Sequence, residues 1–461
     1  MAVVTTNPYL EGPFAPVTEE VTAHDLEVVG TLPPELDGRY LRIGPNPIMA
    51  NVPDPATHHW FTGDGMVHGV RLRDGRAEWY RNRWVRSTRV SEALGEEPVP
   101  GERHGGMDTV NTHVIGHAGR TLALVEAGAR PVELGEELET VRHTDLDGTL
   151  PNGFTAHPKR DPRTGELHAV AYHWALPHLQ YIVVGVDGRV RSVEPIPLDH
   201  GPMVHDMSLT ERFAVVYDLP VVFDLEVAAQ GRPFPYAWTD ALPARLGLLP
   251  RDGTAADITW FEVEPCYVFH ALNAHDEPGP DGTGGAVVLE VVRHERTFAQ
   301  DRVGPADAVP SLWRWTLDLD RGTVTETQLD DQGQEFPRVA EGRVGLPARY
   351  GWAPRIAVGG PGDFSSNDRV LRHDLVAGTV DHHPAGEGRQ VGEAVVVARD
   401  GAAPDAEDDA WLMALAHDRG TDRGELLVWA ADAPGEDPVA RVPLPARVPF
   451  GFHGSWVPTA G

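Results

Sequence analysis

Cysteine and lysine are nearly missing from this chain of 461 residues: Cys266 is the only cysteine, and Lys159 the only lysine among 39 basic residues. A single cysteine excludes an internal disulfide and any cysteine-built metal knuckle, and it fits a reducing compartment, so a cytoplasmic location is expected. The single lysine sits between Pro158 and Arg160 in a turn-like stretch, which leaves almost no room for Schiff-base chemistry. Long apolar runs are missing as well. No stretch of about 18 apolar residues occurs, and Met1–Glu20 lacks the basic-then-apolar layout of a secretory leader, so a soluble protein is expected. Positive charge is scarce: 69 acidic residues set against 39 basic ones give a net charge of −30 with no basic patch, which argues against a nucleic-acid partner. No His-Glu-x-x-His stretch is present, which disfavours a zinc protease. No Rossmann-type glycine pattern is present either, so no nicotinamide or flavin is expected.

What the chain does have is hydrophobic residues at 41%, enough for a large core, arranged in short runs between turn residues. Leu167–Trp174, Tyr181–Val186, Phe213–Phe223, Ala286–Val292, Glu393–Ala398, Ala410–Ala416 and Glu425–Ala430 read as strands, and Asp74-Gly75 and Asp187-Gly188 as hairpin turns. The 49 glycines and 41 prolines break up most helical patterns, leaving Asp240–Leu249 among the few stretches suited to a short helix. Strands spread over the whole length, without alternating helices, point to an all-β fold, and a β-propeller absorbs that many hairpins in one domain spanning residues 1–461. Pro404–Asp409 and Glu277–Gly285 read as solvated loops, and Gly63-Asp64-Gly65 as a hairpin turn, since no helix pattern follows it as a phosphate loop requires.

Histidine is plentiful, with 22 copies. The adjacent pairs His58-His59 and His382-His383 would point to opposite faces of a strand, and His143-Thr144-Asp145 falls in a polar, loop-like segment. Four others lie in or beside apolar stretches, where an unpaired imidazole is costly to bury: His157, His205, His270 and His453. On residues alone two readings stay open. They are separate core histidines with satisfied hydrogen bonds, or they converge on a propeller axis around a borderline transition metal.

Around these histidines run Gly38-Arg39-Tyr40-Leu41-Arg42-Ile43-Gly44-Pro45-Asn46-Pro47, Trp60-Phe61-Thr62-Gly63-Asp64-Gly65-Met66-Val67-His68, Ala156-His157-Pro158-Lys159, Val204-His205-Asp206, Glu335-Phe336-Pro337-Arg338, Gly392-Glu393 and Phe452-His453-Gly454-Ser455-Trp456. In this order they resemble the carotenoid cleavage oxygenases, a family of carotenoid, apocarotenoid and lignostilbene dioxygenases, from about Leu32 to Trp456. The resemblance implies a seven-bladed propeller with a cap of loops and short helices over one face. It implies Fe(II) held by His157, His205, His270 and His453, with Glu126 supporting His205, Glu335 supporting His270 and Glu393 supporting His453. A carboxylate on the remote ring N–H would fix the tautomer and raise imidazole basicity.

By the same resemblance the reaction is O2-dependent cleavage of a conjugated C=C bond to two carbonyl products. Thr112 matches a position that crowds one open coordination site, the alternative being an ordinary β-branched core residue. Hydroxystilbene-cleaving relatives carry a lysine just before the first supporting glutamate, where this chain has Val125, so a long polyene or apocarotenoid is expected and a stilbene or phenylpropenoid is the alternative. Met203, two residues before His205 and on the same face of a strand, and Phe269, beside His270, are expected as further tunnel walls. Phe234–Trp238 and Leu246–Leu249 are candidates for an apolar patch making at most transient membrane contact, given the negative charge. Oligomeric state is left open.

Overall fold

Where β-branched and aliphatic residues run on between turn residues, the chain forms strands that are covered on both faces by neighbouring sheets. Leu167–Ala171 and His178–Val184 are such strands, buried almost throughout. Asp74 and Gly75 both take positive φ (49° and 69°), the turn geometry that returns Gly65–Arg73 onto Arg76–Trp84 without splaying the pair. The computed structural model describes residues 7–104, 108–279, 282, 284–300, 303–305, 307–356 and 367–459. Within these, seven antiparallel sheets of three to five strands form the blades of a β-propeller, and a two-stranded ribbon pairs Val221–Phe223 with Tyr236–Trp238.

The ring closes with strands from both ends of the chain. Gly454–Pro458 pairs with Gly38–Pro45, setting Gly454 opposite Arg42, and Val29–Gly30 pairs with Ala440–Pro443. The first strands of neighbouring blades touch one another: Lys159–Arg160 meets Met207–Leu209, which meets Tyr267–Glu277, and Arg389–Ala398 meets Gly454–Pro458. Side chains carried at the ends of these strands therefore converge on the axis. Two short helices stand outside the blades. Thr88–Leu94 is capped by Ser87 Oγ on Val90 N–H and stopped by Gly95 in the left-handed region, and Leu225–Ala229 is capped by Asp224.

Several local expectations are corrected. Ala244–Pro250, overlapping the stretch Asp240–Leu249 read as suited to a helix, is a strand paired on one side with Phe213–Asp218 and on the other with Thr259–Val263. Leu246, Leu248 and Leu249 are consequently buried and offer no membrane patch. Gly63-Asp64-Gly65 is not a hairpin turn but the entry to Gly65–Arg73, with Asp64 fully buried. His143 ends a strand, Thr140–His143, rather than lying in a loop. His58 and His59 flank short helical turns instead of sitting in a strand. In the acidic stretch Pro404–Asp409, Glu407 is buried and accepts hydrogen bonds from the backbone N–H of Arg349 and Tyr350. Part of Glu277–Gly285 lies outside the described residues. Among the described residues no helix is long and apolar enough to cross a membrane.

Candidate metal centre

His157 and His205 lie just before the innermost strands Lys159–Arg160 and Met207–Leu209, and His453 just before Gly454–Pro458. His270 lies within Tyr267–Glu277, where the pairing register slips between Val268 and Ala271; such a bulge re-aims a side chain out of the ladder. Glu393 sits at a comparable slip between Val391 and Ala394. His453 is further fixed by backbone: its N–H donates to Thr112 O at 3.0 Å, and Ile43 N–H donates to its carbonyl at 3.1 Å. The chains pass so closely there that a Cβ on Gly44 would lie 2.4 Å from Gly451 Cα, so only glycine fits.

The four imidazoles are buried and each offers one ring nitrogen, all within 4.8 Å of one another. His205 Nε2 is 3.1 Å from His157 Nε2 and 3.3 Å from His270 Nε2. The remote nitrogens are engaged: His205 Nδ1 donates to Glu126 at 2.9 Å, His270 Nδ1 to Glu335 at 2.5 Å, and His453 Nδ1 to Glu393 at 2.8 Å. With Nδ1–H committed to a carboxylate, each Nε2 on those three rings is a bare lone pair. Lone pairs converging at such spacing repel unless a cation lies between them, and metal–nitrogen bonds of about 2.0–2.1 Å would require roughly this separation. The residues therefore fit a metal ion on the chemistry of the donor set itself.

Electrostatics agree. Burial and the neighbouring imidazoles hold His157 and His453 well below the ordinary histidine range, favouring the neutral, ligating form. Burial also opposes charge on His205, but Glu126 facing its Nδ1 outweighs burial and raises it. Glu335 is buried, which alone would raise it, yet His270 and His294 together hold it below the usual carboxylate range. Cys266 is buried away from this chemistry, its thiol pushed up to about 12.

Three partners had not been anticipated. Glu335 accepts from His294 Nε2 at 3.0 Å as well as from His270, Arg338 Nη1 lies 3.4 Å from Glu393, and the buried Tyr172 shares the cavity border with Glu126. Arg338 stood in the quoted Glu-Phe-Pro-Arg motif and was legible there; His294 merely ends a common strand and carried no signal.

Against this centre lies a cavity of about 1100 Å³. It is bordered by His205, His270, His453, Thr112, Val125 and Phe269. Phe269 stands edge-on to His205 at 5.2 Å, and Phe336 lies 5.1 Å from His270 and 5.3 Å from His453. Phe61 meets Phe234 and Phe269 edge-on, completing an aromatic wall. Met203 is not on this wall. The segment before Met207 is not a strand, so alternation does not carry over from His205, and Met203 is packed in the core. Of the other apolar candidates, Phe234 and Tyr236 border the cavity, while Trp238 is half-buried.

A family described as retinal pigment epithelial membrane protein matches residues 14–458. A carotenoid cleavage oxygenase of Mycobacterium tuberculosis is 46% identical, over 99% of this chain and 99% of its own length. The crystal structure of Pseudomonas brassicacearum lignostilbene dioxygenase superposes with a TM-score of 0.85 at 29% identity, covering 98% of each chain. A cobalt-substituted Synechocystis apocarotenoid oxygenase gives 0.85 at 25% identity, covering 99% of this chain and 100% of that one.

Proposed function

This chain belongs to the carotenoid cleavage oxygenase family, and from that premise we propose that it is an Fe(II)-dependent dioxygenase cleaving a conjugated C=C bond of a carotenoid or apocarotenoid into two carbonyl products. The observation that carries this reading is the convergence of four buried imidazole nitrogens at an aromatic-walled cavity. Fe(II), held by His157, His205, His270 and His453, supplies when bound the electrons that allow ground-state dioxygen to combine with a closed-shell alkene.

The chain's own residues do the rest. Glu126, Glu335 and Glu393 lock the ring tautomers and orientations, so no proton has to leave Nε2 before the ion is bound. Phe61, Phe269 and Phe336 exclude water and hold a flat conjugated chain against the histidines. The Thr112 hydroxyl is committed to Asn111 Oδ1 at 2.9 Å, so we assign Thr112 a steric role that narrows the space beside His453. Val125 borders the cavity where a lysine would grip a phenolate, which supports a polyene. The stilbene alternative is kept because of the similarity to the lignostilbene enzyme. We take residues 1–461 to act as one domain in the cytoplasm, with at most transient membrane contact, in keeping with the net charge of −30.

Metal analysis of iron-loaded protein should give about one Fe per chain, as a single four-histidine site requires. Mass spectrometry of products from an apocarotenal, β-carotene, a hydroxystilbene and isoeugenol identifies substrate class and bond. His270→Ala should abolish aldehyde formation; retained turnover in that variant would defeat the assignment.

A further inference from the structure

The cavity wall is not uniform. Beside the histidines it is aromatic, but the turns Met49–Asn51 and Pro55–Thr57 and the helix Thr88–Leu94 bring Asn51, Asp54, Arg89 and Glu92 to it, with Asp64 and Asp108. Within this polar stretch Arg89 is held in place. Asp64, fully buried, accepts from Arg89 Nε at 2.5 Å, from Ile48 N–H at 2.9 Å and from Asn51 Nδ2 at 3.1 Å. Arg89 Nη2 donates to Thr62 O at 2.8 Å. These bonds use two of the five guanidinium N–H donors, and the side chain keeps 37% exposure at the cavity border.

We propose that Arg89 is a specificity-determining residue that recognises a neutral carbonyl oxygen at one end of the substrate, which makes the preferred substrate a polyene bearing one terminal aldehyde or ketone. The inference rests on the alkene-cleaving reading of the same cavity and deepens it. A guanidinium offers only donors, so it selects an acceptor, and one already locked by a buried carboxylate loses little further freedom on binding. A pure hydrocarbon offers no acceptor and would strip water from the cation without replacing it. A carboxylate end is disfavoured because Asp64 already balances the charge of Arg89, Arg103 is likewise taken up by Asp108, and Asp54 and Glu92 add negative charge at the same cavity border. Anchoring one end also sets which double bond lies over the four histidines, giving one cleavage position instead of a mixture.

The test uses the iron-loaded, full-length protein with three ligands of one skeleton type: β-apo-8′-carotenal, the matching carotenoic acid, and β-carotene. Dissociation constants come from polyene absorbance under nitrogen, and products from the same samples in air. Arg89→Lys keeps the charge beside Asp64 but loses the fork. It should weaken aldehyde binding about tenfold, the worth of one charge-assisted hydrogen bond, leave β-carotene within twofold, and broaden the cleavage positions. The double variant Asp64→Asn with Arg89→Gln, which leaves no charge unpaired, should behave alike. Equal weakening of aldehyde and hydrocarbon, no change in either, tighter wild-type binding of the acid, or no wild-type binding of any of the three would overturn the proposal. Wild-type binding of the aldehyde with the expected Arg89→Lys loss, but no cleavage in air, would instead defeat the dioxygenase reading and leave the anchor standing.

Discussion

The four imidazoles separate two unlike spaces. On one side is the aromatic cavity of about 1100 Å³; on the other is a pocket of about 110 Å³ bordered by Lys159, Asp206, Arg338 and Glu393. His270 and His453 border both, His205 only the larger, His157 only the smaller. In the small pocket most charges are paired: Lys159 Nζ lies 2.8 Å from Asp206, and Arg338 bridges Glu393 and Glu341, while Arg160 donates to the Gly116 carbonyl. Buried ion pairs contribute little net stability while intact, but losing one partner leaves a charge stranded. The small side therefore holds the ligands in register, while the large side chooses what is presented to them.

If that division of labour is right, changes on the small side alter stability and metal retention without changing substrate preference, and changes on the large side do the reverse. The largest effect is expected for Asp206→Ala. It strands Lys159 and removes the acceptor of Met207 N–H and Ala271 N–H, costing about 3–5 kcal/mol in urea denaturation while leaving the ratio of products unchanged. An altered product ratio would break the comparison. Next, Glu393→Gln should lower iron affinity by roughly 10–100-fold in a chelator competition, because His453 loses its carboxylate. On the large side, Val125→Lys should raise kcat/KM for a hydroxystilbene about tenfold relative to a polyene, with iron content unchanged. The smallest effect belongs to neither space. Burial holds His68 down to about 3 and His168 and His383 down to about 4, so they stay neutral in the fold while the unfolded chain takes up protons near 6.5. Stability is thus complete only well above pH 6.5 and falls as the pH drops through that value toward 4 and, for His68, toward 3. Each such histidine should cost a few tenths of a kcal/mol between pH 7.5 and 6.5, measurable as a falling denaturation midpoint.

How much was legible follows the same physics. The four histidines could be singled out because each lies in or beside an apolar stretch, their joint role and that of the three glutamates came only with the family resemblance, and the blades could be read because period-two patterning is a local property. Ala244–Pro250 was misread because a short apolar run suits a helix as well as a strand; here pairing on both sides decides. Met203 failed because period-two reasoning presumes a strand, and Met203 lies outside one, its backbone N–H donating to Val221 O at the start of the two-stranded ribbon. His294 could not be found at all: its meeting with Glu335 joins residues 41 apart, one ending a blade strand and the other in the segment that connects two blades.

The pairing of Gly454 with Arg42 has a consequence for biogenesis. His453 belongs to a segment that leaves the ribosome long after the other three imidazoles, and the first blade must wait with an open edge until that segment arrives. Metal loading can therefore be completed only after the segment carrying His453 has emerged, and chains stalled upstream of this point would carry an incomplete ligand set on an unsealed ring.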